Sequence, residues 1–589
     1  MPKRGGAVHV STHRRHYVGK DGRERVYETH LLRRSWREDG KVRNETVANL
    51  SHLPGEVIEL VRGALAGQRF VPAESAASVV RSLPHGHLAA VAAQARALGL
   101  PGLLGPSCRA RDIAYALVLA RVVHPASKLA TVGWWADTTL GVDLDLAGVS
   151  TDEVYAAMDW LTGRQDAIEA RLARRHLAPA GNPSGMALFD LSSSWLEGSH
   201  CPLAARGYSR DGKKGKLQIE YGLLTDAAGR PVAVRVFAGN TADPAAFVQA
   251  VEVIRDRFGL RQLVMVGDRG MITSARIEAL KELGGTGWLT ALRAPAIAKL
   301  AAAGGPLQPT LFDQDDLAEI AHPNYPGERL IACRNPLLAA ERARKRNDLL
   351  TATETLLAPI TAAVAAGRLA GADAIGLKVG RVINKYKVGK HFTITITDTS
   401  LTITRNTPGI AAEAALDGIY VLRTSLPTDH LDAPGVVTAY KNLSAVERDF
   451  RTLKTTDLDL RPIHHRLEDR VRGHVLIATL AAYLIWHLRA TLAPLTYTDE
   501  HPPQRTNPVA PAHRSPTADR KAAHKTTPDD QLPLHSFQGL LDHLATLTRN
   551  DIRYGPDPTT PLVPTLTEPT PTQRRAFQLL HIPIPLTIT

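Results

Sequence analysis

The alternation of apolar and polar residues divides the first part of the chain into segments with two different periods. Residues 1–50 alternate at every second position in HYVGKDGRERVYETHLL and RRSWREDGKVRNETVANL, and each segment turns at an Asp-Gly step. Alternation around such a turn predicts β-hairpins. From about residue 55 to 178 the apolar residues recur at three and four positions, which predicts helices. Ser150 opens one of them with a Ser-x-x-Glu capping signal.

Short strands are predicted from about residue 185 onward. GMALFDLSSSW, KLQIEYGLLTD and RPVAVRVFAG predict three strands, and a tight Asp-Ala-Ala-Gly-Arg turn joins the second to the third. A helix (ADPAAFVQAVEVIRDRFG), a strand (QLVMVGD), a second helix (SARIEALKELG) and a further strand (GWLTALR) follow. Three meandering strands followed by alternating helices and strands is the order of a ribonuclease H-like α/β fold.

The later segments interrupt and extend this core. Between residues 294 and 425 lie a long charged helix, ERARKRNDLLTATETLLAPITAAVAAG, and strands at KHFTITITD and GIYVLRT, which we interpret as an insertion. The apolar run Val475–Trp486 is too short to span a membrane and predicts a buried helix. After residue 493 the composition shifts to Pro, Thr and His, which predicts a flexible linker followed by a short helix and a tail.

These patterns predict an α/β protein in which a ribonuclease H-like catalytic core is split by an inserted domain. A basic β-hairpin module and a helical domain precede the core. Periodicity alone leaves open whether the helical domain binds DNA or serves as a scaffold. In chain order the predicted domains are the hairpin module (1–54), the helical domain (55–180), the core (181–293 and 426–493), the insertion (294–425) and the linker with its tail (494–589).

Composition indicates which class of partner and which cell compartment to expect. The 589 residues include 71 Lys+Arg and 58 Asp+Glu, for a formal net charge of +13. This charge favours a nucleic-acid partner, and it is equally compatible with an effect of genome composition. In residues 1–50 basic residues outnumber acidic ones by about two to one. Cys108, Cys201 and Cys333 form no Cys-x-x-Cys pair, which excludes a disulfide framework and fits a reducing cytosol.

Two aspartates each follow a short apolar strand. Asp190 ends the strand ALFD and Asp268 ends LVMVGD, and either one alone is compatible with a turn or helix-capping role. Ligands of open α/β sheets gather at the carboxyl ends of strands. Two aspartates there would form a like-charge pair that a divalent cation relieves. Phosphodiester chemistry uses such a pair to hold two Mg²⁺ about 4 Å apart for in-line displacement, with a third carboxylate from elsewhere.

The stretch YKNLSAVERDFRTLK can supply the third carboxylate. In a helical projection one apolar stripe contains Leu443, Val446, Phe450 and Leu453. A second stripe beside it contains Tyr440, Glu447, Arg451 and Lys454. Glu447 at the edge of the buried face can reach into a cleft. The alternative, which the helix alone leaves open, is a surface pair between Glu447 and Arg451 at i, i+4.

Two other motifs give weaker signals. GYSRDGKK (207–214) nearly spells a P-loop, but Lys214 stands where a Ser or Thr should hold Mg²⁺, and a strand follows, so we reject a nucleotide site. The histidines His464, His465 and His474 lack the cysteines or the His-Glu-x-x-His helix of a zinc site. Polar or core contacts are the preferred interpretation of these histidines.

The ordered motifs resemble those of a known family. Tyr440, Leu443, Glu447 and Lys454 match the spacing of the Tyr-x2-Arg-x3-Glu-x6-Lys signature of bacterial insertion-sequence transposases of the DDE class. FDLSSSW and VMVGDRGM resemble the strands that carry the first and second aspartates of the family, and the likeness covers most of residues 150–490. One position departs from the signature, because leucine at 443 stands in place of arginine.

The resemblance implies a Mg²⁺-dependent DNA transposase, with Mn²⁺ as a substitute metal. Asp190, Asp268 and Glu447 would be the catalytic and metal-binding triad. The implied DNA contacts are Tyr440, Arg448, Arg451 and Lys454, with Arg448 or Arg451 replacing the missing signature arginine. The enzyme would cut and join transposon terminal repeats and target DNA as a synaptic homodimer, in the cytoplasm and without a membrane.

The sequence leaves two alternatives open. One is a ribonuclease H-like nuclease that cuts DNA without joining strands. The other is a catalytically inactive DNA-binding protein derived from a transposase, which Leu443 keeps under consideration.

Overall fold

The chain forms two compact units. The computed structural model describes residues 6–68, 70, 76–177, 186–241, 251, 263–270, 272–283 and 285–588. One unit comprises Met1–Ser82 and Arg549–Leu566, and the other comprises Leu83–Thr548 and Thr567–Thr589. The helix predicted in ADPAAFVQAVEVIRDRFG lies almost entirely outside the described residues.

The first unit is built on a three-stranded antiparallel sheet. Its strands are β1 (Ala7–Val18), β2 (Glu24–Glu38) and β3 (Lys41–Asn49), paired in sequence order. Both residues of the Asp39-Gly40 turn have positive φ, as a type I′ hairpin requires, so the predicted hairpins are confirmed. Helix α1 (Gly55–Leu65) packs Ile58 against Val10 of β1. Strand β4 (Ala77–Pro84) belongs to a second small sheet.

The second unit begins with a group of helices. They are α2 (Gly86–Ala97), α3 (Leu100–Leu104), α4 (Arg109–Val123), α5 (Lys128–Ala136), α6 (Thr139–Asp143), α7 (Thr151–Thr162) and α8 (Gln165–His176). Ser150 caps α7 in a reciprocal capping box with Glu153, as predicted. These helices share one hydrophobic core with the sheet that follows, so the predicted helical domain packs directly onto the sheet from Gly86 onward. The predicted start of that domain at residue 55 is wrong, because α1 and most of β4 belong to the first unit.

An eight-stranded mixed sheet forms the centre of this unit. Its strands are β5 (Met186–Trp195), β6 (Gln218–Asp226), β7 (Pro231–Ala238), β8 (Leu263–Val266), β9 (Thr286–Ala291), β10 (Leu317–Ile320), β11 (Arg329–Arg334) and β14 (Ile419–Thr424). The spatial order is β10-β11-β14-β9-β8-β5-β6-β7. The predicted meander of β5, β6 and β7 is confirmed as two antiparallel pairings, whereas β5, β8 and β9 are parallel neighbours.

Strand β5 has nearly the bounds that the segment GMALFDLSSSW predicts. It continues past Asp190 to Trp195, so the prediction that Asp190 ends its strand is wrong. The reason is the unequal length of the neighbouring strands. Pairing with β6 extends to Trp195, whereas pairing with β8 stops at Leu188.

The region predicted as an insertion belongs partly to the main sheet. Helices α9 (Ser274–Leu283) and α10 (Ala294–Leu300) precede β10, and β10, β11 and β14 then extend the sheet beyond β9. Between β11 and β14 lie α11 (Pro336–Ala365), α12 (Ala372–Tyr386), β12 (Phe392–Ile396), β13 (Leu401–Arg405) and α13 (Thr407–Ala414). These elements form small cores of their own, so the inserted part is shorter than the predicted 294–425.

The chain after β14 returns to the main core through four helical segments. They are α14 (Ala433–Lys441), α15 (Leu443–Arg451), a π-helical turn (Thr452–Thr456) and α16 (Glu468–Thr491). In the described part of the chain, α16 and the bent pair α4–α5 are long and apolar enough to cross a membrane, and 83% of the apolar stretch of α16 is buried within the protein. The buried helix predicted from Val475–Trp486 is therefore confirmed.

The C-terminal region is folded. It contains α17 (Pro516–His524), α18 (Phe537–Ala545), β15 (Thr548–Tyr554), β16 (Val563–Leu566) and α19 (Pro571–Leu579). Strands β15 and β16 complete the small sheet of β4. Val509, Phe537 and Phe577 enter the core of the second unit. The prediction of a flexible linker from 494 is wrong, because scattered apolar residues in this Pro- and Thr-rich segment are enough to pack it.

The turn between β6 and β7 limits the position of α15. Gly229 has a φ of +81°, and a Cβ there would overlap the Cβ of Ala445 in α15. We expect Gly229→Ala to lower the Tm by about 2 °C or more, because left-handed strain of roughly 1–2 kcal/mol adds to a displaced helix and a unit of this size changes its Tm by roughly 1 °C per kcal/mol. The control is Gly304→Ala, because Gly304 has a φ of +79° and no atom lies within 4 Å of a Cβ added there. The Tm of both variants is measured by scanning calorimetry. Equal decreases in Tm for Gly229→Ala and Gly304→Ala would show that the contact with Ala445 adds nothing to the backbone strain.

Candidate active site

The parallel pairing of β5 with β8 brings the two predicted aspartates to the same level. Leu188 of β5 pairs with Val266 of β8, and Asp190 and Asp268 each lie two residues further along. Strand β8 ends at Val266, so Asp268 lies in the loop that follows and does not end the strand as predicted. The carbonyl oxygen of Asp268 accepts a hydrogen bond from Thr290 Oγ1 at 3.1 Å. The edge at which this parallel pairing ends therefore carries both carboxylates.

Helix α15 brings Glu447 to the same edge. It packs on β5 and is anchored by Val446 and Phe450, which are 0% and 6% exposed. The ring of Phe450 meets that of Tyr221 edge to face, with centroids 5.7 Å apart. Glu447 is exposed beside this anchored face.

The three predicted acids line one cavity of about 300 Å³. The lining residues are Asp190, Leu191, Ser192, Arg210, Asp268, Gly270, Glu447 and Phe450. Gly270 N–H donates to Asp268 Oδ1 at 2.9 Å, which orients that carboxylate. The structure thus brings together residues that lie far apart in the sequence.

Burial and neighbouring charges oppose the ionisation of Asp190. Its pKa is raised to about 7, first by desolvation and further by the negative charges of Asp268 and Glu447. A hydrogen bond from Leu191 N–H to Asp190 Oδ1 at 2.8 Å and the positive charge of Arg210 lower the pKa and offset part of this rise. The cavity is therefore a place where negative charge is concentrated at the margin of the core.

The helical projection assumed that the stretch from Tyr440 to Lys454 forms one continuous helix, but the structure divides it into two helices and a π-helical turn. Tyr440 belongs to α14 and Glu447 to α15, and Asn442 between them donates its side-chain amide to the carbonyl oxygen of Ala227 at 3.0 Å. Tyr440 nevertheless stays beside the acids. Burial raises its pKa to about 12, and the negative charges of Asp268 and Glu447 add to the rise.

Lys454 is buried in an ion pair. Its Nζ donates to Asp211 Oδ1 at 2.8 Å, and the guanidinium of Arg461 donates to the same oxygen. The π-helical turn that contains Lys454 interrupts the α-helical spacing assumed in the projection. Lys454 does not line the acidic cavity, and its role as a DNA contact stays a prediction.

Arg448, Arg451 and Leu443 lie outside the acidic cavity. Arg448 lines a different cavity of about 590 Å³, together with Asp449 and Trp486. Arg451 is exposed, and Leu443 packs against the main core as the apolar stripe predicts. Neither arginine lines the acidic cavity, so the replacement of the signature arginine by Arg448 or Arg451 stays a prediction.

Sequence reasoning missed Arg210 as a residue of the site. The loop that nearly spells a P-loop docks on β5, where Arg210 N–H donates to Ser193 Oγ at 3.0 Å. Arg210 lines the acidic cavity, and its Nη1 lies 3.9 Å from the carboxylate of buried Glu220. The signal that pointed to this loop is its basic run, RDGKKGK.

The described residues contain no group of three or more His, Cys, Asp or Glu side chains arranged to hold a metal ion as they stand. His474 instead contacts Nζ of Lys128 at 3.3 Å and the carbonyl oxygen of Leu460 at 3.2 Å. These are the polar contacts that the sequence favoured over a zinc site. Cys108, Cys201 and Cys333 are free thiols.

Comparison with solved structures gives a weak likeness. The piggyBac transposase, in a synaptic complex with hairpin DNA determined by cryo-electron microscopy, matches 69% of this chain and 73% of its own chain. The sequence identity is 10% and the TM-score 0.32, values at which the likeness carries no argument. No curated protein sequence matches the chain.

Two sequence-family models match the chain. The model described as a transposase DDE domain matches residues 192–485, and the model described as the N-terminal domain of IS1634 family transposases matches residues 18–77. Together they cover more than half of the chain. The first contains Asp268 and Glu447 and begins two residues after Asp190. The chain therefore belongs to the insertion-sequence DDE transposases, within the IS1634 family.

Proposed function

We propose that the chain cuts and joins the DNA of an insertion sequence, with Asp190, Asp268 and Glu447 as its catalytic carboxylates. The observation that carries the proposal is that three acids from separate segments line one cavity although their charges repel one another. A site for divalent cations accounts for such a costly arrangement. In this proposal the mixed sheet serves as a ribonuclease H-like core, and the chain belongs to the Tyr-Arg-Glu-Lys signature group.

The donor set fits a hard divalent cation. Carboxylate oxygens are the ligands that Mg²⁺ prefers, and Mn²⁺ accepts them as well. Asp268 and Glu447 are exposed, so their side chains can turn toward Asp190 without repacking the core. When bound, the metal supplies charge stabilisation and an acidified nucleophile for in-line phosphodiester displacement, by water first and by a 3′-hydroxyl in strand transfer.

The chain's other side chains position the DNA. Arg210 beside the acids can hold a phosphate with two parallel hydrogen bonds. Tyr440, with a pKa raised to about 12 by burial and the neighbouring acids, stays protonated at neutral pH and can donate to a phosphate oxygen. Exposed Arg451 is a further phosphate contact. The ion pair of Lys454 with Asp211 ties the chain after α15 to the loop that carries Arg210.

The substrates in this proposal are duplex terminal repeats and target DNA. Because two DNA ends must be cut together, the working form is a synaptic homodimer in the cytoplasm. Cutting without joining and an inactive catalytic site are the outcomes that the first experiment distinguishes from transposition.

Conservative substitution of the triad tests the catalytic assignment. We expect Asp190→Asn, Asp268→Asn and Glu447→Gln each to reduce Mg²⁺-dependent cleavage and joining of the element's own ends by at least about 10³-fold, because each removes a metal-binding charge. Gel assays of cleavage and strand transfer measure this. Asp449→Asn is the matched control, since Asp449 lies two residues from Glu447 and lines the other cavity.

The three possible readings give different results in the wild-type protein. Cleavage with joining supports a transposase, and cleavage without joining supports a nuclease. DNA binding with neither cleavage nor joining supports an inactive derivative. Full activity in any of the three triad variants would remove that residue from the proposal.

The role of Arg210 is tested separately. We expect Arg210→Ala to lower kcat/KM for end cleavage by roughly 10²-fold, because a cation facing the developing phosphate charge is lost. Arg210→Lys should recover part of the activity. Lys214→Ala removes the same charge from an exposed position of the same loop and should change kcat/KM by less than about threefold. Equal losses in Arg210→Ala and Lys214→Ala would argue for a general charge effect.

The pH dependence of stability tests the crowding of the three acids. The pKa of Asp190 rises from 3.8 in the unfolded chain to about 7 in the fold, so wild-type stability falls as the pH rises between these values, and the loss is complete above pH 7. Without divalent metal, we expect Asp190→Asn to be more stable by on the order of 2–4 kcal/mol at pH 8 and by much less at pH 4.

The measurement for this prediction is the Tm as a function of pH, in the presence of a chelator and of Mn²⁺. Mn²⁺ should raise the Tm of the wild type more than that of Asp190→Asn, because the variant supplies a weaker ligand set. If the Tm difference between the wild type and Asp190→Asn does not change with pH, Asp190 is not titrating in a charged cavity.

A further inference from the structure

The three-stranded sheet of the first unit separates its charges between its two faces. Directly paired residues of an antiparallel sheet lie on the same face. Arg15 pairs with Tyr27 and Tyr17 with Arg25 across β1 and β2, and the same face continues through Arg37. We call this surface the basic face and define it by His13, Arg15, Tyr17, Arg25, Tyr27 and Arg37. Within β1–β3, all of which the structure describes, no Asp or Glu lies on it.

The opposite face contains the carboxylates of these strands, and they are paired with cations. The ion pairs are Arg14–Glu28, His16–Glu24, Arg34–Glu45 and Arg43–Glu38. The same face packs Val10 and Leu32 against the residues of α1. One face of the sheet is therefore neutralised and partly covered, whereas the other carries an excess of positive charge.

The basic face is open and contains exposed aromatic side chains. Tyr17 and Tyr27 are 54% and 55% exposed, so both side chains are accessible to a partner. Arg25 pairs with Asp21 of the adjoining turn at 2.9 Å. Arg33 lies on the same face opposite His9, and its buried Nε has no hydrogen-bond partner. These features point to a polar anionic partner.

We propose that the basic face binds the phosphate backbone of double-stranded DNA, an inference that rests on the proposed function for the identity of the partner. Alternate residues of a strand lie about 6.8 Å apart and neighbouring strands about 4.8 Å apart, so the face presents a dense array of donors. Arginine and tyrosine side chains both donate to phosphates. From Arg25 to Arg37 the basic face extends along β2 for about 40 Å, which is close to one turn of the duplex.

Charge distinguishes DNA from other occupants of this sheet face. An apolar partner would leave the cations of the basic face unpaired and desolvated, at a cost in binding free energy. Phosphates instead satisfy the cations and release bound counterions from the duplex. Because phosphates carry no sequence information, the basic face should hold specific and unrelated duplexes alike.

The test compares two pairs of arginines on opposite faces of the same strands. Binding of the full-length protein to a labelled element-end duplex and to an unrelated duplex is measured by fluorescence anisotropy across a salt series. We expect Arg15→Gln with Arg37→Gln to weaken binding of both duplexes roughly 10- to 50-fold at 0.1 M salt and to reduce the salt slope by about 2. Arg14→Gln with Arg34→Gln, on the neutralised face, should change affinity less than about threefold.

Each outcome supports or overturns the proposal. Equal losses in the two pairs, or no loss in the Arg15/Arg37 pair, overturn it. Arg15→Lys with Arg37→Lys keeps the charges and should retain the affinity and the salt slope, which distinguishes phosphate binding from damage to the fold. A wild-type protein that shows this binding pattern but cleaves no DNA would contradict the proposed function and leave the basic face standing.

Discussion

The parallel pairing of β5 with β8 is the constraint on which the acidic cavity depends. It places Asp190 and Asp268 level with each other, and a shift of one residue would turn Asp190 to the other face of the sheet. Because β6 continues to pair with β5 past Asp190, the backbone of Asp190 is held within the sheet and its carboxyl lies at the margin of the core. Its raised pKa therefore follows from the backbone register, and in the proposed mechanism the same register supplies the fixed member of the triad.

The third acid depends on packing from several directions. Phe450 anchors α15 on Tyr221, and the turn at Gly229 limits how far the helix can shift. Beyond the helix, Lys454 and Arg461 converge on Asp211, whose side chain is 1% exposed. Removing one partner of such a buried pair is more costly than the pair itself is stabilising. The position of Glu447 is thus set mainly by contacts outside the cavity, and of these anchoring residues Phe450 alone also lines it.

Local patterns were sufficient for much of the fold and for selecting the three acids that line one cavity. The hairpins, the capping box of α7 and the buried α16 follow from residue spacing, because these elements are stabilised by near neighbours in sequence. The sequence did not reveal that β10, β11 and β14 join the main sheet, since strand pairing across long separations leaves no local periodicity. The partner of Lys454 lies 243 residues away, and composition concealed the packing of the Pro- and Thr-rich C-terminal region.

The departure at Leu443 has a physical explanation in the arrangement of the cavity. Leu443 lies on the side of α15 that packs against the main core, where an arginine would have to extend its charged end past apolar neighbours to reach solvent. Arg210 reaches the cavity from a different segment, on a loop fixed to β5 through Ser193. Asp211, the next residue, joins that loop to the chain after α15. Leucine at position 443 is therefore compatible with a cation at the site, because the loop that supplies the cation is tied to the chain directly after α15.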